Sequence, residues 1–422
     1  MPWGTGPAGR CTGVVIARWL VVAGLLAACG ASAPAASDDL PAASVARAVP
    51  ARILIEGDEA TRIVDAATGQ PAEKTLPGGV LSPAKDLIVR LERDGAQTVL
   101  SAVDLAGRAT PKLRFTGDYA FPSAYGAAPS GFSPNGAWLV LVSRDASESR
   151  FQIVDVARWV LAPIVTLSAR FTFDAIHDDG SAMYLIEHPV AGGTAYNVRL
   201  YRVRSQLLEP GIIFDKSSIA QYDPTLGLMD GTFHVAVAPK SGDWSYGLYM
   251  RPNGTPFVHA LNVPGGYAQC ILDLAGKWTS SSMFAMAMRD DGKRLYVVDT
   301  SGGAVTVIDG DSHAVITRAQ FAGRRPESAV RTSSAVVSHD GSRLYATSTR
   351  GIAAISTTDL SLKSWLVNDL AVTSLAVSSD GTRLYALVDG AIQVIDATSG
   401  KVLVSRLADA PNARAIHVLP AH

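Results

Sequence analysis

The chain alternates apolar and polar residues in short runs that end at Asp-Gly or Asn-Gly, a pattern of strands and tight hairpins rather than helices. The clearest copies are Met286-Ala287-Met288-Arg289-Asp290-Asp291-Gly292-Lys293-Arg294-Leu295-Tyr296-Val297, Val336-Val337-Ser338-His339-Asp340-Gly341-Ser342-Arg343-Leu344-Tyr345-Ala346 and Ala376-Val377-Ser378-Ser379-Asp380-Gly381-Thr382-Arg383-Leu384-Tyr385-Ala386. Weaker copies open at Leu81, Phe132, Ile176 and Val237. In each, an apolar strand leads into a turn that needs positive φ, and a second strand leaves it. A third strand ends in an aspartate able to bond the next turn, at Asp65, Asp104, Asp155, Asp309 and Asp396. A more variable fourth strand follows, such as Val402-Leu403-Val404.

Four antiparallel strands per unit, recurring at about forty to sixty residues, predict a β-propeller rather than a helical solenoid. First strands are expected near Val80, Gly131, Phe173, His234, Phe284, Ala335, Ser374 and Arg414. The last has no hairpin after it, whereas Ile53-Leu54-Ile55 and Thr61-Arg62-Ile63-Val64-Asp65 have no first strand before them. The C-terminal strand is therefore expected to complete the N-terminal blade, which removes exposed sheet edges. The predicted fold is an all-β propeller of four-stranded antiparallel blades, eight by count, with seven left open if the first copy or a middle one is an insertion. The Asp-Gly-x-x-Leu-Tyr hairpins resemble the YVTN family of propeller repeats and the wider WD40-like superfamily, from about Arg52 onward.

The beginning of the chain departs from this pattern. Arg10 and Arg18 precede an apolar run from Trp19 to Ala28, the order of a secretory signal. The run is too short to span a bilayer. It ends in Leu26-Ala27-Ala28-Cys29-Gly30, which resembles a bacterial lipobox and implies lipid attachment at Cys29. Residues 1–28 are thus expected to be a signal peptide, 29–50 an Ala/Ser/Pro-rich flexible tether, and 51–422 the propeller. An exported, membrane-anchored protein follows, at the outer membrane of a Gram-negative cell or the outer face of a Gram-positive one.

Composition narrows the function. The 37 Lys and Arg against 38 Asp and Glu leave a net charge of −1 and no electrostatic footprint for nucleic acid. Of three cysteines, Cys11 falls in the signal peptide. With Cys29 acylated, Cys270 has no disulfide partner and is expected in the core. No nucleophile elbow, phosphate-binding loop, zinc motif or haem-attachment motif appears, so no catalytic residue, metal or cofactor is assigned. Ser338-His339-Asp340 and His177-Asp178-Asp179 read as hairpin turns, since neighbouring residues cannot relay to one another. His234 and His417 fall at first-strand positions, in the core or along the channel.

Resemblance brings enzymes into view as well. Lactonase-like propellers carry acidic, asparagine and histidine clusters on inner loops, which cannot be assembled here. Asp65-Ala66-Ala67-Thr68-Gly69 and Asp396-Ala397-Thr398-Ser399-Gly400 resemble the start of the quinoprotein docking repeat without its tryptophan. The outer-membrane assembly lipoprotein, another lipid-anchored propeller, is a further alternative.

In a propeller, the turns joining strands one to two and three to four share one face. The connections between strands two and three and between blades share the other, and here that second set is longer. It carries Tyr119, Tyr125, Tyr222, Asp223, Trp278, Arg324, Arg325 and Arg331, residue types that dominate interaction hot spots. The sequence thus points to a non-catalytic, membrane-tethered platform for a protein, peptide or glycan partner. A propeller enzyme is the alternative.

Overall fold

A computed structural model describes residues 52–72, 75–122, 131–143, 148–189, 192–214, 217–220, 229–274, 283–324 and 334–419. Among them every element is a strand, and the strands form eight antiparallel sheets. Six are plain four-stranded blades. The innermost strands are Ala413–Leu419 (blade 1), Val80–Leu81 (blade 2), Tyr119–Ala120 (blade 3), Phe171–Ile176 (blade 4), Thr232–Val237 (blade 5), Phe284–Met288 (blade 6), Ala335–Val337 (blade 7) and Val372–Val377 (blade 8). The count is eight.

The ring closes as expected. Ala413–Leu419 pairs antiparallel with Arg52–Gly57, matching Ile53 with Val418 and Ile55 with Ile416, and Ala60–Asp65 and Leu76–Pro77 complete that blade. Eight hydrophobic cores result, each shared by two successive blades. One joins blade 8 to blade 1 through Tyr385, Ile392, Ile53 and Ile416, and another joins blade 1 to blade 2 through Leu54, Ile63, Ile88 and Leu419.

The Leu-Tyr element of the repeat follows from this geometry. Adjacent strand residues point to opposite faces of a blade, so its leucine enters the core with the preceding blade and its tyrosine the core with the next. Leu344 packs between blades 6 and 7, and Tyr345 between blades 7 and 8. A buried phenol needs a partner. Tyr345 Oη donates to Ala397 O of the following blade at 2.6 Å, Tyr246 Oη reaches Gly310 O at 3.4 Å, and Tyr184 Oη donates to Val263 O. Each acceptor lies in the turn between strands three and four of the next blade, so the repeat tyrosine fixes blade spacing as well as filling the core.

The hairpin turns are locked internally. Ser338 Oγ accepts from Arg343 N at 2.9 Å and donates to Asp340 Oδ1 at 2.6 Å, while Asp340 accepts from Ser342 N at 3.0 Å. Ser378, Asp380 and Thr382 repeat this set in blade 8. The aspartates ending third strands act similarly. Asp65 Oδ1 accepts from Ala67 N, Thr68 N and Thr68 Oγ1 at 2.8–2.9 Å, and Asp396 accepts from Ser399 N at 2.7 Å. These bonds lower the carboxyl pKa of both. The two segments resembling a quinoprotein repeat are therefore turn-forming segments here.

Candidate functional site

Of the eight residues singled out from the sequence, two are described, Tyr119 and Arg324. Tyr119 is not a surface residue. It is 4% exposed, pairs with Ser143 in the short innermost strand of blade 3, and packs edge-on to Phe115 with ring centroids 5.3 Å apart. The aromatic ring fills the core between blades 2 and 3. Tyr125, Tyr222, Asp223, Trp278, Arg325 and Arg331 lie outside the described residues, as does Cys29. Cys270 has its backbone in the strand Tyr267–Asp273, but its side chain is outside the description.

Arg324 stands at the centre of a surface cluster. Its guanidinium carbon lies 4.5 Å from the centroid of the Trp365 ring, and its Nη1 donates to Arg350 O at 2.7 Å. Phe321 approaches the same indole at 6.4 Å, and Arg350 pairs with Asp369 at 2.8 Å. The backbone builds this arrangement. Phe321 N donates to Gly303 O and Arg324 N to Thr300 O, which folds the chain leaving blade 6 over its own turn between strands two and three. Trp365, on the fourth strand of blade 7, then meets it from the neighbouring blade. Sequence reasoning, which took its candidates from the long inter-blade connections, missed Trp365 on a strand and Arg350 in the short turn between strands two and three of blade 7. A tryptophan beside the exposed Lys363 and Ser364 of an outer strand was the available signal.

The opposite face is built from hairpin turns that converge near the axis. Asp178 Oδ1 accepts from Asn135 N at 2.9 Å. Lys240 Nζ lies 3.1 Å from Asp290 Oδ1, and His339 Nδ1 is 3.3 Å from Asp290 Oδ2. His339 thus turns toward the preceding blade and not to Ser338, and His177 pairs locally with Asp179 at 2.5 Å. Exposed pairs of this kind contribute at most about 1 kcal/mol each. A depression of about 650 Å³ between blades 2 and 3 opens on this face, lined in part by Lys85, Asp86, Asp104 and Arg108. Arg108 is held by Asp104 at 2.6 Å.

Lys85 breaks the repeat. Gly136, Gly180, Gly242, Gly292, Gly341 and Gly381 fill the corresponding turn position with φ between 69° and 75°, and Lys85 adopts φ 59° in their place. Burial lowers its ammonium pKa, aided by Lys240 and opposed by Asp290. Left-handed backbone costs a side-chain-bearing residue about 1–2 kcal/mol. Lys85→Gly is therefore expected to stabilise the fold by up to about 1 kcal/mol after glycine's extra chain entropy, read as a higher urea midpoint. A lower midpoint would mean that the lysine's contacts outweigh the strain.

Around the axis, the innermost strands of blades 1, 4, 5 and 8 each carry a bulge, at Arg414, Asp174, His234 and Thr373. The extra residue re-aims a side chain away from the ladder. Arg414 is paired with Glu56 and Asp58 at 2.9 Å, and His417 with Glu56 at 3.0 Å. His234 stands edge-on to Phe284, and burial lowers its pKa. Asp174 has no hydrogen bond or ion pair among the described residues, and burial pushes its carboxyl up to about 7. Behind it, between blades 4 and 5, Tyr196 stacks on Tyr249 with centroids 4.9 Å apart, and their hydroxyls approach without a well-formed hydrogen bond. His259 is 2% exposed with Nε2 unpaired, and burial lowers its pKa to about 4, which keeps it neutral. Among the described residues no three His, Cys, Asp or Glu side chains come together as a metal site would require.

No family model matches the chain, and no curated protein matches it. Among solved structures, the chain is similar to the dihydro-heme d1 dehydrogenase NirN in complex with DHE, at TM-score 0.55 and 14% identity over 87% of this chain and 75% of that one. It is also similar to apo AztD from Citrobacter koseri, at TM-score 0.55 and 15% identity over 88% of this chain and 98% of that one. At such identities the likeness is one of fold, and it agrees with the propeller seen here.

Proposed function

We propose that this chain is an exported lipoprotein of the YVTN propeller type, anchored at Cys29 and tethered by residues 29–50, whose propeller binds a protein, peptide or glycan partner outside the cytoplasm. The partner contacts the face of the long connections. The observation that carries this reading is the stack of Arg324 on Trp365, flanked by Phe321 and Arg350. Arginine and aromatic side chains held on a rigid scaffold present large contact area at little cost in ordering, which is the make-up of an interaction anchor. The opposite face, by contrast, spends its side chains on its own turns.

Proximity labelling of envelope proteins and glycans around the full-length chain tests this. Species labelled by the parent are expected to be lost with Arg324→Glu and with Cys29→Ala, and kept with Lys240→Ala on the other face. Labelling indifferent to Arg324→Glu would refute the proposed face. Turnover of a lactone or alcohol by the purified protein, abolished by one loop substitution, would replace the binding reading with an enzymatic one.

A further inference from the structure

A cavity of about 220 Å³ lies on the hairpin-turn side, where blades 3, 4 and 5 meet. Its walls are mostly apolar, with Phe132, Ala236, Val237 and Trp244 among them, and Asp174 lines it as well. Among the described residues, Asp174 is the sole acidic residue of that lining and no basic side chain lines it. A carboxylate is acceptor-only, and this half-buried one has neither hydrogen bond nor ion pair among the described residues. Among the described residues, the phenols of Tyr184, Tyr196 and Tyr249 are close enough to feel its charge, and burial raises the pKa of each. Among the described residues, the fold therefore sets one unpaired carboxylate against an apolar and aromatic wall.

We propose that this cavity is a binding site for a small organic cation, a primary ammonium or guanidinium on a short apolar body, with Asp174 as its counter-ion. The carboxylate supplies the charge partner, the indole of Trp244 supplies an aromatic wall, and the alanine and valine walls take the alkyl part. Size sets the class: the volume corresponds to about seven waters at roughly 30 Å³ each, below the range of drug-sized sites. Anions are repelled, and a neutral molecule of the same shape leaves the charge uncompensated.

Calorimetric titration of the full chain at pH 8 and matched ionic strength, with propylammonium, 1-propanol and propionate as probes, decides the matter. Propylammonium is expected to bind and the other two are not. Its affinity should fall at least about tenfold in the isosteric Asp174→Asn variant, the loss expected when the charge partner is removed. Ala236→Leu, which fills the cavity and leaves the carboxylate in place, should abolish binding too. Equal binding of 1-propanol, retained binding in Asp174→Asn, or no heat from any of the three probes would overturn the proposal.

Discussion

A chain ending at Asn412 is expected to lose its cooperative thermal transition and to elute as an aggregate. The missing strand, Ala413–Leu419, is the innermost one of blade 1 and makes its ladder with Arg52–Gly57. It also serves two cores at once. Ile416, 2% exposed, packs with Ile53, Tyr385 and Ile392 in the core shared with blade 8, and Leu419, also 2% exposed, packs with Leu54, Ile63 and Ile88 toward blade 2. Each fully buried side chain of this size contributes about 1.5–3 kcal/mol, and the lost ladder exposes an edge along blade 1. Against a typical total of 5–15 kcal/mol that loss is decisive. The milder Ile416→Ala is expected to cost about 2–5 kcal/mol and to lower the denaturation midpoint while leaving one transition. Scanning calorimetry with size-exclusion chromatography separates these outcomes. A truncated chain with a transition like that of the parent would mean that the ring is stable without its closing strand.

That closure was legible because its two halves are each incomplete in the same repeat: Arg414-Ala415-Ile416-His417-Val418 lacks a hairpin, and Ile53-Leu54-Ile55 lacks a first strand. The Leu-Tyr pairs were legible for a related reason, since a two-residue alternation between neighbouring cores must appear in the sequence. Blade 3 was less so. Its first strand was expected near Gly131, whereas the ladder begins at Tyr119–Ala120, paired with Ser143 and Val142, and Phe132 contributes a single bridge to Leu139. Two residues are too few to show a period, and their partner lies more than twenty positions away. The bulges at Asp174 and His234 were hidden for a similar reason, because one inserted residue disturbs alternation as a loop would. Nor could the sequence show Asp174 to be isolated. Its surroundings come from Phe132, Ala236 and Trp244 on other blades, and only the ring brings them together.

Asp174→Asn is expected to stabilise the amine-free protein at pH 8 and to give no gain at pH 4. Burial raises the folded-state carboxyl from 3.8 to about 7, so the folded protein holds this proton more tightly than the unfolded chain does. Stability from that linkage is fully present below about 3.8, declines as pH rises, and is gone above about 7. The span corresponds to at most about 4 kcal/mol. Asparagine removes the charge but leaves an amide short of partners, a cost of about 1–3 kcal/mol. The net gain at pH 8 is then about 1–3 kcal/mol, shrinking through zero toward pH 4. The turn carboxylates act in the opposite sense and in another window. Hydrogen bonds from Ser338 and Ser342 lower Asp340 to about 2, so its contribution is present above about 3.8 and is lost as pH falls toward 2. Both variants share those turns, so the difference between the two urea-derived stabilities, followed from pH 4 to 8, isolates Asp174. A difference that stays flat with pH would mean that the carboxylate finds a partner in solution and that its burial carries no charge penalty.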